Sequence, residues 1–149
     1  MPLSNPVFSE LLLPQNFTHW HDESFVEAGG QIKTDTNTSI AYGAEIYQNP
    51  AALNDSFSFR KLLTTGSYNL FVLTVLSANV GKLKLEIDDN LAFDDMDLYS
   101  SSVVVNATLQ RTITIPTDGL HEFKFTVFAK NVASSNYYFS GRKIWASKI

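Results

Sequence analysis

The sequence predicts an all-β protein, an antiparallel β-sandwich of the jelly-roll type. Three observations carry this expectation. After residue 40 the dominant pattern is period-2 alternation of apolar and polar residues, as in half-buried strands. Turn signals built from Gly, Pro, Asn and Asp punctuate these runs at short intervals. No segment shows an amphipathic-helix pattern, and residues 50–54 have room for one helical turn at most. Seven or eight short strands at this spacing make a sandwich. The chain has no Cys, so the Cys–Trp–Cys signature of immunoglobulin domains is missing and the jelly roll is preferred.

Residues 1–35 carry Pro2, Pro6, Pro14 and Gly29-Gly30 with little periodicity. They read as an N-terminal arm leading into the sandwich, with the domain itself spanning residues 36–149. Residues 39–48 (SIAYGAEIYQ) and 55–63 (DSFSFRKLL) are expected strands, separated by a loop at Asn49-Pro50. In Gly66–Leu76, Tyr68, Leu70, Val72, Thr74 and Leu76 share one parity, and Asn69, Phe71, Leu73 and Val75 share the other. Both faces are apolar along most of the run, which suits a strand inside a sandwich or against a neighbouring subunit. Residues 81–89 (GKLKLEIDD) set Leu83, Leu85 and Ile87 against a wet face, and Asp89-Asn90 supplies turn chemistry.

Residues 103–115 (VVVNATLQRTITI) are rich in β-branched side chains, which favour a pleated surface. Pro116-Thr117-Asp118-Gly119 stops that strand, and residues 120–129 alternate again through Phe123, Phe125 and Val127. In the last run, residues 137–149, Gly141 permits a bulge and Trp145 reads as a core plug with its indole N–H bonded locally. At the turns, Gly66 and Gly119 are placed where a positive φ is needed.

Composition narrows the function. With 149 residues the chain is one domain, able to bury a core without disulfides. The absence of Cys excludes thiolate metal sites and Cys nucleophiles. A net charge of −4 argues against a nucleic-acid or acidic-membrane surface. No apolar run reaches the roughly 18 residues of a membrane-crossing helix. The N-terminal stretch lacks the basic region and apolar core of a secretory signal. No Gly-x-Ser-x-Gly elbow, phosphate loop or dinucleotide motif occurs, and no paired acids have a partner that would raise a pKa, so no catalytic set is expected.

Three groups of residues are candidates for binding. His19-Trp20-His21-Asp22-Glu23 has metal-ligand types at close spacing, with His19 and His21 on one side of an extended strand, as Zn or Ni would need. The plainer reading is a polar start to the domain. Asp88, Asp89, Asp94, Asp95 and Asp97 put five carboxylates within ten residues. Oxygen donors suit Ca²⁺, with Asp94, Asp95 and Asp97 the proposed ligands, although EF-hand spacing is missing and an acidic solvated loop is the simpler account. Exposed aromatics pack on pyranose rings, and Trp20, Tyr99, Tyr137 and Tyr138 are the candidates for a glycan.

The ordered pieces HWHDE (19–23), residues 42–73, GKLKLEIDDN (81–90) and residues 97–149, with their Asp-x-Tyr-Ser, Gly-x-His, Lys-Asn-x-x-Ser-Ser-x-Tyr-Tyr and Lys-x-Trp segments, make one further pattern. This set resembles a jelly-roll domain of bacteriophage and algal-virus structural proteins, typically at the end of a tail or head fibre. The resemblance implies a virion fibre-tip or capsid-decoration domain for assembly and host attachment, made in the host cytoplasm. It also implies a homotrimer that docks on other virion proteins through residues 1–18 and touches a cell-surface glycan. Carbohydrate-binding modules share the fold, so a free-standing module with a structural Ca²⁺ is the alternative. A polysaccharide-degrading enzyme ranks last.

Overall fold

Alternating β-branched and aromatic residues become strands when their apolar parity finds a second layer to cover it. The computed structural model describes residues 26–28, 32–35, 45–48 and 52–149, and from residue 52 onward the side chains except those of 140–143. Among these residues there are ten strands and no helix. They are β1 (Val26–Ala28), β2 (Ile32–Asp35), β3 (Glu45–Gln48), β4 (Ser56–Leu63), β5 (Gly66–Leu76), β6 (Lys82–Ile87), β7 (Asn90–Asp97), β8 (Val104–Ile115), β9 (Gly119–Ala129) and β10 (Phe139–Lys148). Two five-stranded sheets result. Sheet A runs β1-β4-β9-β6-β7 and sheet B runs β2-β3-β10-β5-β8, with antiparallel pairing throughout. This is the expected antiparallel sandwich.

The core lies between the sheets. Sheet A contributes Phe57, Phe59, Leu83, Leu85, Phe123, Phe125 and Val127, and sheet B answers with Tyr68, Leu70, Val72, Ile113, Ile115, Ile144 and Ala146. Phe57, Phe59, Phe123 and Phe125 form an aromatic layer, with Phe57 and Phe125 stacked at 5.2 Å and Phe59 and Phe123 at 5.5 Å. These are the inward parities of the sequence pattern.

Several strands depart from expectation. Val26–Ala28 pairs with β4 and Ile32–Asp35 pairs with β3, so the sandwich begins inside the segment read as an arm, before residue 36. Of the expected strand 39–48, Glu45–Gln48 is a strand, and the rest lies outside the described residues. Residues 53 and 54 form a turn, with Asn54 at φ 74° and the Asp55 carboxylate accepting from the Ala52 N–H at 2.7 Å. The stretch read as an acidic loop is strand β7. Its apolar residues Phe93 and Met96 are three apart because a bulge shifts the register, with Leu83 opposite Met96 and Leu85 opposite Phe93. An extra residue breaks the period-2 signal while both side chains still point inward.

The turn before β7 also moves by one residue. Asp88 and Asp89, at φ 50° and 66°, close the β6–β7 hairpin with the two left-handed residues of a type I′ turn. The expected bulge near Gly141 is present as a register shift between Gly141 and Lys143. Gly66 and Gly119 have φ of 146° and 138°. A Cβ at Gly119 would meet nothing within 4 Å, so the backbone alone sets the cost there. Gly119→Ala should therefore lose about 1–3 kcal/mol of stability by urea unfolding. An unchanged midpoint would show that the turn relaxes.

Candidate functional site

The outer faces of the two sheets differ in chemistry. Sheet A carries charge outward, with Arg60 near Glu122 at 4.0 Å, Lys84 near Glu86 at 3.3 Å and Lys82 near Asp97 at 3.7 Å. Such partly exposed pairs contribute little individually. Sheet B carries no charge among the described side chains of its outward face.

Antiparallel register builds that face in rows across β10, β5 and β8. Ser147, Asn69 and Thr112 form one row, Trp145, Phe71 and Gln110 the next, and Lys143, Leu73 and Thr108 the third in register position. Directly paired residues project to the same side of a sheet. Phe71 and Trp145 stack at 5.1 Å with their planes 16° apart. Thr112 Oγ1 donates to Asn69 Oδ1 at 3.3 Å. That orients the Asn69 amide, whose Nδ2 has no protein partner among the described residues. Trp145 is thus only in part the core plug its place near Ile144 suggested, since it packs against the core without being fully buried. It is half-buried, on the parity opposite Ile144 and Ala146. Phe71, Leu73 and Val75 likewise account for the apolar second parity of β5.

Loops 77–81, 98–103 and 130–138 meet at one end of the sandwich. Tyr99, Tyr137 and Tyr138 are gathered there, all half-buried. Backbone bridges join Tyr99 to Ser77 and Tyr138 to Val80. Buried Ser134 fastens the loops together, its hydroxyl donating to Val80 O at 2.7 Å. Lys130 Nζ stands 5.0 Å from the centre of the Tyr137 ring. Trp20 and the His19–His21 pair lie outside the described residues.

The carboxylates proposed for Ca²⁺ are drawn to different partners. Asp95 accepts from Arg111 Nε at 2.7 Å, a bond that holds its carboxyl below the usual carboxylate range. Asp97 caps the Tyr99 N–H at 3.0 Å and accepts from Asn131 Nδ2 at 2.7 Å. Asp94 is exposed. Among the described residues no three acidic or His side chains gather as a metal shell.

The opposite end holds a His–Asp pair that sequence reasoning did not single out. His121 is 3% exposed. Its Nδ1 meets Asp88 Oδ2, and its Nε2 lies 2.7 Å from Thr117 O. A carbonyl only accepts and an ionised carboxylate only accepts, so both ring nitrogens carry protons and the ring is an imidazolium. Neither nitrogen is left to act as a base. Burial opposes the charge on His121, but the bonds to Asp88 and Thr117 and the Asp88 charge outweigh it, and the pKa is raised. Burial also works against ionised Asp88, yet the Glu122 N–H at 2.9 Å and His121 hold its pKa low. Lys61 stands opposite His121 in the β4–β9 register, and Arg60 and Glu122 flank it.

A raised His pKa stabilises the fold fully below the unfolded value near 6.5 and loses that contribution as pH climbs through the folded value. The depressed Asp88 stabilises above about 3.9 and loses its share as pH falls through its own lowered value. Stability should therefore peak between these limits and decline into the alkaline range. Urea midpoints at pH 5.5 and 8.5 test this, and His121→Phe should flatten the alkaline slope. A wild-type midpoint that rises toward pH 8.5 would contradict the imidazolium assignment.

No family model matches the chain, and no curated protein matches it. Solved structures do. A xanthan lyase from Paenibacillus superposes with a TM-score of 0.68 at 17% identity over 81% of this chain, which spans 12% of that enzyme. The module CBM6cm-2 of Cellvibrio mixtus lichenase 5A, solved with cellotriose, gives 0.61 at 20% identity, covering 87% of this chain and 94% of the module. A family 35 carbohydrate-binding module from Clostridium thermocellum gives 0.62 at 10% identity, covering 84% and 92%. The neighbours matched over nearly their whole length are carbohydrate-binding modules. At these identities the likeness establishes the fold, and a fold hosts many functions. Function therefore rests on the chemistry of the site. None of the three is a virion protein.

Proposed function

We propose that the chain is a glycan-binding module that holds an uncharged sugar chain on the outer face of sheet B. The observation that carries this is the stacked Phe71–Trp145 pair set in a face of hydroxyls and amides. Sugars present apolar C–H faces and a rim of hydroxyls, so they are held by aromatic surface bordered by Asn, Gln and Thr. Asn69, Gln110 and Thr108 border the aromatic pair. The fold shared with carbohydrate-binding modules supports the reading, and so does His121, whose two committed nitrogens speak against a catalytic histidine. The free-standing module thus displaces the virion fibre or decoration domain as the preferred reading. The homotrimer and the virion partners were implied by the sequence resemblance alone, and these neighbours lend them no support.

Affinity electrophoresis or calorimetry against neutral β-glucan, xylan and polyuronate is the direct test. Binding to a neutral polysaccharide that persists at high salt is expected. Binding to polyuronate alone, or to no polysaccharide while a substrate is turned over, would overturn the proposal.

A further inference from the structure

Among the described residues four strands form the sheet edges, and they are not alike. β1 carries Glu27, β2 carries Lys33 and Asp35, and β7 carries Asp94, Asp95 and Asp97. Charges of this kind keep an edge from pairing with another chain. β8 is the fourth edge and the longest, at 12 residues. Its only charged residue is Arg111, and Asp95 of the same chain neutralises it at 2.7 Å. No Pro interrupts it. Val103, Val104 and Val105 are 71%, 40% and 41% exposed at its start. Past a bulge at Asn106, where φ is 60°, residues 107–115 run in unbroken register against β5 as far as Gly66. Thr108, Gln110, Thr112 and Thr114 on this stretch are exposed and neutral.

We propose that β8, from Ala107 to Ile115 an edge among the described strands, pairs antiparallel with β8 of a second copy, making a twofold dimer with one continuous ten-stranded sheet. The charge pattern selects this occupant. Self-pairing centred on Arg111 would oppose two guanidinium groups. Self-pairing centred on Gln110 sets Thr108 against Thr112 and Arg111 against Leu109, so no like charges face each other. The same operation on β7 would crowd aspartates in a chain of net charge −4. A twofold axis makes the contact isologous, and one normal to the sheet keeps the two outer faces of sheet B on the same side. Two Phe71–Trp145 pairs then address one surface, and weak single-site binding gains avidity. One strand pair buries less than the roughly 1,000 Å² of a stable interface, so the dimer is weak and concentration-dependent.

The test is sedimentation velocity on the full chain, without glycan, from about 1 to 500 µM. Leaving glycan out keeps the result separate from the ligand reading. The expected result is a mass that rises from 16.6 kDa toward twice that value. The double variant Thr108→Lys with Thr112→Lys should weaken association at least about tenfold, because the pairing sets Lys against Lys. The variant with Glu at both positions should behave the same way, and an equimolar mixture of the two should dimerise again. Both positions are exposed, and melting curves of the variants check that they fold. A chain that stays monomeric throughout, a trimer or open-ended assembly, a dimer that survives the lysines, or lysine and glutamate variants that do not recombine would each overturn the proposal.

Discussion

Phe125→Ala is expected to cost about 3–5 kcal/mol of folding free energy, a large part of the total for a domain of this size. Phe125 sits mid-strand on β9, fully buried. Phe57 stacks on it at 5.2 Å, Phe59 lies at 6.3 Å, and Phe93 meets it edge-on at 6.5 Å. Removing the ring loses its transfer free energy and leaves a cavity walled by three stiff aromatic side chains. Each of them is anchored in a strand paired on at least one side, so the walls have little freedom to collapse. Urea unfolding with an unchanged slope and a lowered midpoint is the expected readout. A loss below about 1 kcal/mol would mean that the aromatic layer repacks, and that the core is not the rigid support the binding face needs.

Trp145→Ala should weaken glycan binding by about 2 kcal/mol, roughly 30-fold, because buried aromatic anchors dominate such contacts. The indole is half-buried and packs against the core from its margin, so its loss should change unfolding less than Phe125→Ala does. Phe71→Ala should act in the same direction, since Phe71 supports one face of the indole. Tyr137→Ala, at the loop end under Lys130, should leave binding near wild type. Calorimetry with a short neutral oligosaccharide distinguishes the cases. If Tyr137→Ala abolishes binding while Trp145→Ala does not, the ligand sits at the loop end and the sheet face is only structural.

Much of the fold was legible because side-chain parity is a local property. The inward residues of β6 and β9 were visible as alternation, β5 showed two apolar parities, and Gly66 and Gly119 marked their turns. β7 was missed for the opposite reason. Its bulge puts Phe93 and Met96 three residues apart, and no local rule announces which strand will absorb an extra residue. β1 and β2 were missed because strands of three and four residues are too short to show a period, and they gain their hydrogen bonds only from β4 and β3.

The candidate site was less legible. Tyr99, Tyr137 and Tyr138 converge at one end, joined by backbone bridges to Ser77 and Val80 that lie far off in the sequence. Asp94, Asp95 and Asp97 look like a cluster in sequence, yet Arg111 and Asn131, distant along the chain, claim two of them. His121 and Asp88 are 33 residues apart, and nothing in either neighbourhood pairs them.

The sequence by itself determined that this chain would form sheets, which parity of β6 and β9 would be apolar, and where most hairpins would turn. Those properties depend on residues within a few positions of one another. Only the tertiary structure decided that Trp145 and Phe71 share the outer face of sheet B, that the described side chains of this face are neutral while those of the other are charged, and that β8 ends a sheet among the described strands. Strand order is set by which apolar faces cover one another across the sandwich, and that choice belongs to the assembled core and to no single segment.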